Sequence, residues 1–361
     1  MKRSFVFGAV SIISVIAAAC ISVNGPEGMT PTGELALVEP DTPKTAASST
    51  ETAIPDTPTP EPPVQLSEVG SLGELGSVVD VLIAGDYAYL ADSFGGLQVV
   101  EMSDPNQPVR VSTFDSPGST RGQGVFLDEP YLYLADGQGV RILDITNPAA
   151  PEVVGFYDTL GFALDLQIID DLGYVAAREG GFYIGDFSDP ADPQQVSRLF
   201  DAGTDHVLDV QVRGDYAYAA MQGQGLMIVD VSQPDTPAVV ASLDSDGIAE
   251  SMVLDGELLY LADGEAGIKV VAISDPSKPV EIGRFDTPGY AQDVVIRDDY
   301  LLVADGNSRL LLVLDVSEAV KPQLAAQYET TGFVRAVELV ENFVFLALGE
   351  QGFQILELEI R

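Results

Sequence analysis

The stretch GLMIVDVSQPDTP, residues 225–237, joins a run of alternating aliphatic residues to a turn that contains two prolines. Such alternation behind a glycine is typical of a β-strand. Pro234 ends this strand because proline lacks the amide donor that a sheet requires. Pro237 opens a further strand, and proline is tolerated in a strand that lies at a sheet edge. The stretch therefore predicts the third and fourth strands of a small sheet.

An aromatic strand precedes each such stretch, and a tight turn joins it to a still earlier strand. The turns carry Gly-Asp or Asp-Asp, as in Gly214-Asp215 and Asp298-Asp299. These residues supply the positive φ angles that two-residue hairpins need. A period of 41 to 44 residues with four strands per unit is the pattern of a β-propeller. The recurring aromatic position is occupied by Tyr89, Tyr133, Tyr174, Tyr218, Tyr260, Leu302 and Phe345.

The two ends of the repeat region predict the number of blades. GFQILELEIR, residues 352–361, aligns with the third strand of a unit and lacks the fourth. The missing strand is found at 67–72, which aligns with 152–157. Closing the ring in this way removes exposed sheet edges. We predict an all-β fold over residues 66–361, a seven-bladed β-propeller with four-stranded antiparallel blades, in which an N-terminal strand completes the last blade.

The N-terminal part has a different composition. Residues 1–19 combine Lys2 and Arg3, an apolar run and three alanines directly before Cys20, the single cysteine. This is the pattern of an export signal, and it resembles the lipobox of bacterial lipoproteins, in which the cysteine carries the lipid. An ordinary signal peptide cut after Ala19 is the alternative. Residues 20–65 are rich in proline and threonine, which predicts a disordered, extended stalk. The predicted location is therefore extracytoplasmic, on a bacterial membrane, with lipid attached at Cys20.

The repeated strand also resembles the LVIVD-repeat family of bacterial extracytoplasmic proteins. MIVDVS (227–232) and LVLDVS (312–317) match its motif closely, and RILDIT (141–146) is near. VVEMSD (99–104) and VVAISD (270–275) replace the motif aspartate with Glu101 and Ala272. The resemblance covers 67–361 and implies a propeller, but it implies no activity.

The charge of the chain limits its partners. The formal net charge is −39, from 56 acidic and 17 basic residues, and the sequence has one histidine. A surface this negative repels nucleic acid phosphates, so we expect no nucleic acid partner. It suits cations, basic partners or high salt. With a single histidine, the chain has few side chains suited to acid–base or metal chemistry near neutral pH.

Four aspartates form the first candidate site. They lie nine residues before the aromatic position, on the predicted innermost strands, where their carboxylates could converge on a hard cation such as calcium. In the alternative they bond backbone amides of their own or the next blade and hold the blades together. Regular recurrence favours this structural role. The aspartates are Asp80, Asp165, Asp209 and Asp293, with Gly124, Ser251 and Ala336 in the other units.

The second candidate set, here called the rim set, lies three residues earlier in each unit. Its members vary in chemical character on a regular scaffold, and variable connections on rigid frames commonly carry function. The alternative is that they pack the blades at the rim. Nearby, Asp92, Asp136, Asp263 and Asp305 are expected to cap the glycine turns behind them. The rim set consists of Ser77, Arg121, Phe162, His206, Ile248, Tyr290 and Phe333.

Three functional hypotheses follow. The first is a non-enzymatic, lipid-anchored propeller that binds an envelope protein or a glycan, with Arg121, Phe162, His206, Tyr290 and Phe333 as its ligand face. No paired nucleophile and base is found, which favours this hypothesis. The second is a metal-dependent hydrolase or lyase that uses the central acids. The third is a purely structural scaffold in an envelope assembly.

Overall fold

The computed structural model describes residues 63–116, 122–200 and 206–361. The predicted signal peptide, the predicted stalk and Cys20 lie outside these ranges, and so does Arg121. The described residues form 28 β-strands and the connections between them. In these ranges no helix is long and apolar enough to cross a membrane.

The strands form seven antiparallel sheets of four strands each, the blades of a propeller. The innermost strands of blades 1 to 7 are β2 (Val78–Ala84), β6 (Gly122–Asp128), β10 (Asp165–Ile169), β14 (Val207–Arg213), β18 (Ser251–Asp255), β22 (Ala291–Arg297) and β26 (Ala336–Val340). The second strands are β3 (Tyr87–Asp92), β7 (Tyr131–Asp136), β11 (Leu172–Ala176), β15 (Tyr216–Met221), β19 (Leu258–Ala262), β23 (Tyr300–Asp305) and β27 (Phe343–Ala347). The third strands are β4 (Gly96–Glu101), β8 (Gly139–Asp144), β12 (Phe182–Asp186), β16 (Gly225–Asp230), β20 (Ile268–Ala272), β24 (Leu310–Asp315) and β28 (Phe353–Ile360). The outer strands are β5 (Val109–Phe114), β9 (Glu152–Asp158), β13 (Gln194–Leu199), β17 (Ala238–Leu243), β21 (Val280–Phe285), β25 (Gln323–Glu329) and, for blade 7, β1 (Val64–Leu72).

The predicted ring closure is confirmed. β1 pairs antiparallel with β28, from Val64 opposite Ile360 to Leu72 opposite Phe353. The Arg361 amide also donates to the Pro63 carbonyl at 2.9 Å. Blade 7 is thus assembled from both ends of the described ring, which leaves no unpaired edge between its third and outer strands.

Two faces of the ring follow from the strand directions. On the upper face lie the connections from second to third strands and from each outer strand to the next blade. On the lower face lie the hairpin turns between first and second strands and the turns before the outer strands. Because Val64 pairs with Ile360, at the end of a third strand, the chain joins the ring on the lower face. The hairpin turns have the predicted left-handed backbone, with φ of +56° at Gly85 and +53° at Asp298.

The hydrophobic core lies between neighbouring blades. Seven buried clusters each combine side chains of two adjacent blades, and the cluster between blades 7 and 1 includes Val78, Leu90, Phe345 and Phe353. Each blade therefore buries one side of its sheet against the next. The predicted aromatic position is buried in every blade, at Tyr89, Tyr133, Tyr174, Tyr218, Tyr260, Leu302 and Phe345.

Candidate functional site

The innermost strands surround a central cavity of about 530 Å³. The four candidate aspartates line this cavity, so the structure does bring them to one place. Asp80 belongs to blade 1, Asp165 to blade 3, Asp209 to blade 4 and Asp293 to blade 6. We call these four residues the aspartate layer.

Each carboxylate of the aspartate layer accepts a hydrogen bond from the backbone of the next blade. The donor is always the residue that follows the equivalent position of that blade. This is the inter-blade role that the sequence left open as the alternative to cation binding. The bonds are Val125 N to Asp80 Oδ2 at 2.9 Å, Val210 N to Asp165 Oδ2 at 3.1 Å, Met252 N to Asp209 Oδ2 at 2.7 Å and Val337 N to Asp293 Oδ2 at 2.9 Å.

Asp293 accepts hydrogen bonds from three residues. Its Oδ1 accepts from its neighbour Val294 N at 2.9 Å and from the Ser251 hydroxyl at 2.7 Å. Ser251 holds the equivalent position in blade 5, where a hydroxyl replaces the carboxylate. The single group thus connects three consecutive blades, because it also accepts from Val337 of blade 7.

Burial changes the protonation of the aspartate layer. Removal from solvent raises the pKa of Asp80 to about 7 and that of Asp293 to about 6, and the backbone donors oppose the shift. Burial also raises the pKa of Asp209, and burial together with the neighbouring Asp209 carboxyl raises that of Asp165. Lower in the cavity, burial and the charges of Asp80 and Asp293 raise the pKa of Glu338 to about 7.

The arrangement gives no direct support to a cation site. Among the residues that the structure describes, no three histidine, cysteine or acidic side chains are placed to hold a metal ion. One oxygen of each carboxylate accepts from a backbone amide of the next blade, and the Asp165 and Asp209 side chains hydrogen-bond each other. The calcium hypothesis therefore stays a prediction from the sequence.

The rim set lies on the upper face but does not form one cluster. Phe162, 37% exposed, lines a separate cleft between blades 2 and 3 together with Phe156 and Asp158. Tyr290 and Phe333 lie on the connections into blades 6 and 7, where Phe333 is 43% exposed. The ligand face predicted from the sequence is therefore divided between two sectors of the ring.

Two rim residues form hydrogen bonds that hold the upper connections, and one of these bonds joins two blades. The His206 amide donates to the Arg178 carbonyl at 2.7 Å, and the His206 carbonyl accepts from Gln222 N at 3.0 Å. The Ser77 amide donates to Asp92 Oδ1 at 2.8 Å. These bonds agree with the packing alternative for this part of the set.

Two of the four acids behind the glycine turns, Asp92 and Asp136, have the predicted capping role. Asp92 accepts from Phe94 N at 2.9 Å, and Asp136 accepts from Gln138 N at 2.8 Å. Both carboxylates are buried, and Asp136 also pairs with the buried Arg141 at 2.6 Å. Their bonds stabilise the upper connections rather than leaving the groups open to a ligand.

Sequence reasoning missed a second set of residues, here called the mouth layer. In each of the seven blades it is the residue one position before the aspartate or its equivalent. All seven line the cavity: Val79, Gln123, Leu164, Leu208, Glu250, Gln292 and Arg335. In a regular strand, consecutive side chains point to opposite faces. Here the pairing of β2 with β3 skips Val79, and that of β22 with β23 skips Gln292. Such β-bulges re-aim a side chain, and the sequence carries no signal for them beyond the varied chemistry of the position.

Comparison with known proteins identifies the repeat. The LVIVD repeat model matches six consecutive segments, residues 75–116, 119–159, 160–200, 205–245, 246–287 and 288–330. This chain belongs to the LVIVD-repeat family. The six LVIVD segments coincide with blades 1 to 6. The blade that follows takes its outer strand from the other end of the ring, so it has no contiguous unit of the same length. No curated protein matches the chain.

Solved structures show the same fold for this LVIVD-repeat chain. The Cps50 (Swd1) β-propeller domain of Myceliophteria thermophila is 13% identical with a TM-score of 0.66, covering 81% of this chain and 99% of that one. The WD40 β-propeller domain of Doa1 is 12% identical with a TM-score of 0.65, covering 81% and 97%. The computationally designed Ika8 protein is 11% identical with a TM-score of 0.60, covering 80% and 99%. At such identities the likeness establishes the propeller fold alone.

Proposed function

We propose that this chain is a membrane-anchored, extracytoplasmic binding module that engages its ligand with the upper face of the ring and performs no catalysis. One contrast carries the proposal. The aspartate layer is engaged by the backbone of the next blade, whereas Phe162 and Phe333 expose 37% and 43% of their surface. Exposed aromatic side chains on rigid connections are typical of interaction surfaces.

The path of the chain supports this choice of face. The described ring begins at its lower face, where Val64 pairs with Ile360. The chain therefore enters the described ring on the face opposite the rim set. A partner that approaches from above meets the rim set and the mouth of the central cavity.

The binding role is tested by comparing variants of the two faces. The immobilised full chain is presented with envelope glycan fragments and with solubilised envelope proteins. We expect a defined partner to be retained, and we expect Tyr290→Ala and Phe333→Ala to abolish retention. Leu324→Ala is the matched control, since Leu324 is 47% exposed on the outer strand β25. Retention that is equal in all variants, or no retention at all, contradicts the proposal.

Membrane anchoring through Cys20 has its own test. Cells that express the full chain are labelled with a fatty-acid analogue, and we expect label on the protein and its recovery with membranes. Cys20→Ala should lose both. An unlabelled protein that is secreted free of membranes argues for the ordinary signal peptide instead.

A second candidate function rests on the raised pKa of Asp80. A carboxyl group with a pKa of about 7 in a cavity suits general acid–base work near neutral pH. The metal-dependent hydrolase or lyase considered from the sequence would place this group beside a divalent cation. Elemental analysis of the purified protein is expected to detect such a cation, and a metal-free protein that ignores chelators removes this candidate.

A further inference from the structure

The mouth layer has two chemically different sides. Blades 1, 3 and 4 contribute Val79, Leu164 and Leu208, with Gln123 of blade 2 among them, whereas blades 5, 6 and 7 contribute Glu250, Gln292 and Arg335. The upper end of the central cavity is therefore mainly apolar on one side, where Gln123 is the one polar member of the mouth layer, and rich in hydrogen-bonding groups on the other. Ligand pockets of a few hundred cubic ångströms commonly combine an apolar wall with a few placed polar groups.

Backbone geometry aims the polar side chains into the cavity. The Glu250 amide donates to the Ala262 carbonyl at 2.9 Å, although Ser251 is the register partner of Ala262. The Arg335 amide likewise donates to the Ala347 carbonyl at 2.8 Å, while Ala336 is the register partner of that residue. Two residues thus oppose one at the start of these strands, as in a β-bulge. The polar side is built by the fold and does not depend on a mobile loop.

Arg335 has no carboxylate partner at ion-pair distance among the described residues. Its Nη1 donates to the side-chain oxygen of Gln292 at 3.4 Å, and its charge lies near enough to Glu250 to oppose the rise that burial causes in the pKa of that carboxyl. Several exposed arginines elsewhere bond a carboxylate or a backbone carbonyl, as Arg284 does with Glu281 at 2.7 Å and Arg110 with the Glu74 carbonyl at 3.2 Å. A guanidinium that keeps most of its donors can hold a carboxylate with two parallel bonds.

Aromatic groups stand next to this arginine. Phe333 is two residues before Arg335 on the same side of an extended segment, in which exposed and buried residues alternate. The Arg309 guanidinium lies over the Phe333 ring, 5.3 Å from its centroid, and it too has no carboxylate at ion-pair distance in the described ranges. The Tyr290 hydroxyl donates to Glu250. The sector therefore combines two arginines, a partly exposed aromatic ring, an amide and a carboxylate.

We propose that this sector of the upper face, formed by Glu250, Tyr290, Gln292, Arg309, Phe333 and Arg335, binds a carboxylated sugar such as a hexuronate. Arg335 and Arg309 would receive the sugar carboxylate, Phe333 would pack on the apolar face of the ring, and Gln292 and Glu250 would bond its hydroxyls. A net charge of −39 repels anions in general. Two local arginines with no carboxylate at ion-pair distance in the described ranges are the means by which such a surface can still hold one. The inference rests on the binding role proposed above for the upper face.

The test uses D-glucuronate as the probe, with D-glucose and D-glucosamine as its neutral and cationic counterparts. Binding to the full chain is measured by titration calorimetry. We expect glucuronate to bind and the other two sugars to bind at least about 10-fold more weakly. Arg335→Ala should weaken glucuronate binding by about 10- to 100-fold, the range for a lost charged hydrogen bond. Arg335→Lys keeps the charge but not the paired bonds, so a smaller loss is expected.

Arg284→Ala is the matched control, because Arg284 is an exposed arginine already engaged by Glu281 and Asp246. It should leave glucuronate binding unchanged. Equal binding of glucose and glucuronate, an Arg335→Ala variant that binds as well as the parent, or equal losses in both arginine variants overturns the inference. If the upper face retains another partner through Phe333 and Tyr290 but does not bind glucuronate, only this inference fails. If it retains nothing, the proposed function fails as well.

Discussion

Two layers of the same innermost strands, one residue apart, differ in almost every respect. The aspartate layer repeats one residue type, and each carboxylate bonds the backbone of the next blade. The mouth layer changes from Val79 to Arg335 around the ring and makes few bonds between blades. The position that repeats one residue type has a structural role here, and the position whose residue type varies lies at an accessible surface. Substitutions in either layer should therefore impair function. Only substitutions in the aspartate layer should lower the free energy of unfolding substantially.

The largest effect is expected from Asp293→Ala. The change leaves the Val337 and Val294 amides without their acceptor, and an unsatisfied buried donor costs about 1–3 kcal/mol. We expect the free energy of unfolding to fall by about 2–4 kcal/mol in denaturant titrations. Gln292→Ala, one residue away in the mouth layer, is the control and should stay within about 0.5 kcal/mol of the parent. Equal losses in the two variants would remove the contrast between the layers.

The next effect concerns pH. The aspartate layer and Glu338 have raised pKa values in the folded state, so the folded protein binds more protons than the unfolded chain between about pH 4 and 7. Their stabilising contribution is complete below about pH 4 and is lost as the pH rises through 6 to 7. We expect the melting temperature to be several degrees higher at pH 5 than at pH 8.

Surface aspartates limit this trend at lower pH. Hydrogen bonds from residues two positions on hold the pKa of Asp104, Asp144 and Asp230 below the ordinary value. The contribution of these aspartates to the stability of the folded state is lost as the pH falls through their lowered pKa values. The melting temperature should therefore pass through a maximum near pH 5, and Asp80→Asn should flatten the rise from pH 8 to 5. A melting temperature that falls over that interval contradicts the assignment.

A smaller effect is expected at Glu338. This side chain faces the cavity with no hydrogen bond from the described residues, and burial and two neighbouring carboxyls disfavour its charge. Glu338→Gln should raise the free energy of unfolding at pH 8 by about 1 kcal/mol, after allowance for solvent screening. The same variant should have a much smaller effect at pH 5, where Glu338 is protonated in the folded parent. Stabilisation that is equal at both pH values would point to packing rather than charge.

The smallest effect is expected from Arg335→Ala. Arg335 is exposed and bonds only the Gln292 side chain, so the unfolding free energy should change by less than about 0.5 kcal/mol. Circular dichroism melting curves of the variant and the parent provide the measurement. A loss of more than about 1 kcal/mol would assign Arg335 to the construction of the ring.

Most of the fold could be predicted because the same sequence signals recur from unit to unit. Tyr89 and its equivalents mark the buried second strand, and Gly85 and Asp298 mark hairpins that require positive φ. The closing strand could be found because residues 67–72 align with an outer strand. Each of these signals is local, since it depends on which residues suit a strand, a turn or a sheet edge.

The site was less predictable, because it depends on contacts between units. The sequence placed Asp80, Asp165, Asp209 and Asp293 at equivalent positions but left open whether they bind a cation or the next blade. Only the packing of the blades brings Val125 N to Asp80 and Met252 N to Asp209, in each case more than 40 residues away. The rim set was likewise placed on one face, but the ring separates Phe162 from Tyr290 and Phe333.

By itself, then, the sequence determined the seven blades, their four strands and the strand that closes the ring, because hydrophobic period, glycine and proline act locally. The tertiary structure alone decided which polar groups meet. Alternation along a strand directs Arg335 and Glu250 away from the face of the aspartates, and the β-bulges turn them into the cavity. A bulge is set by how two strands pair, and one strand's sequence does not specify that pairing.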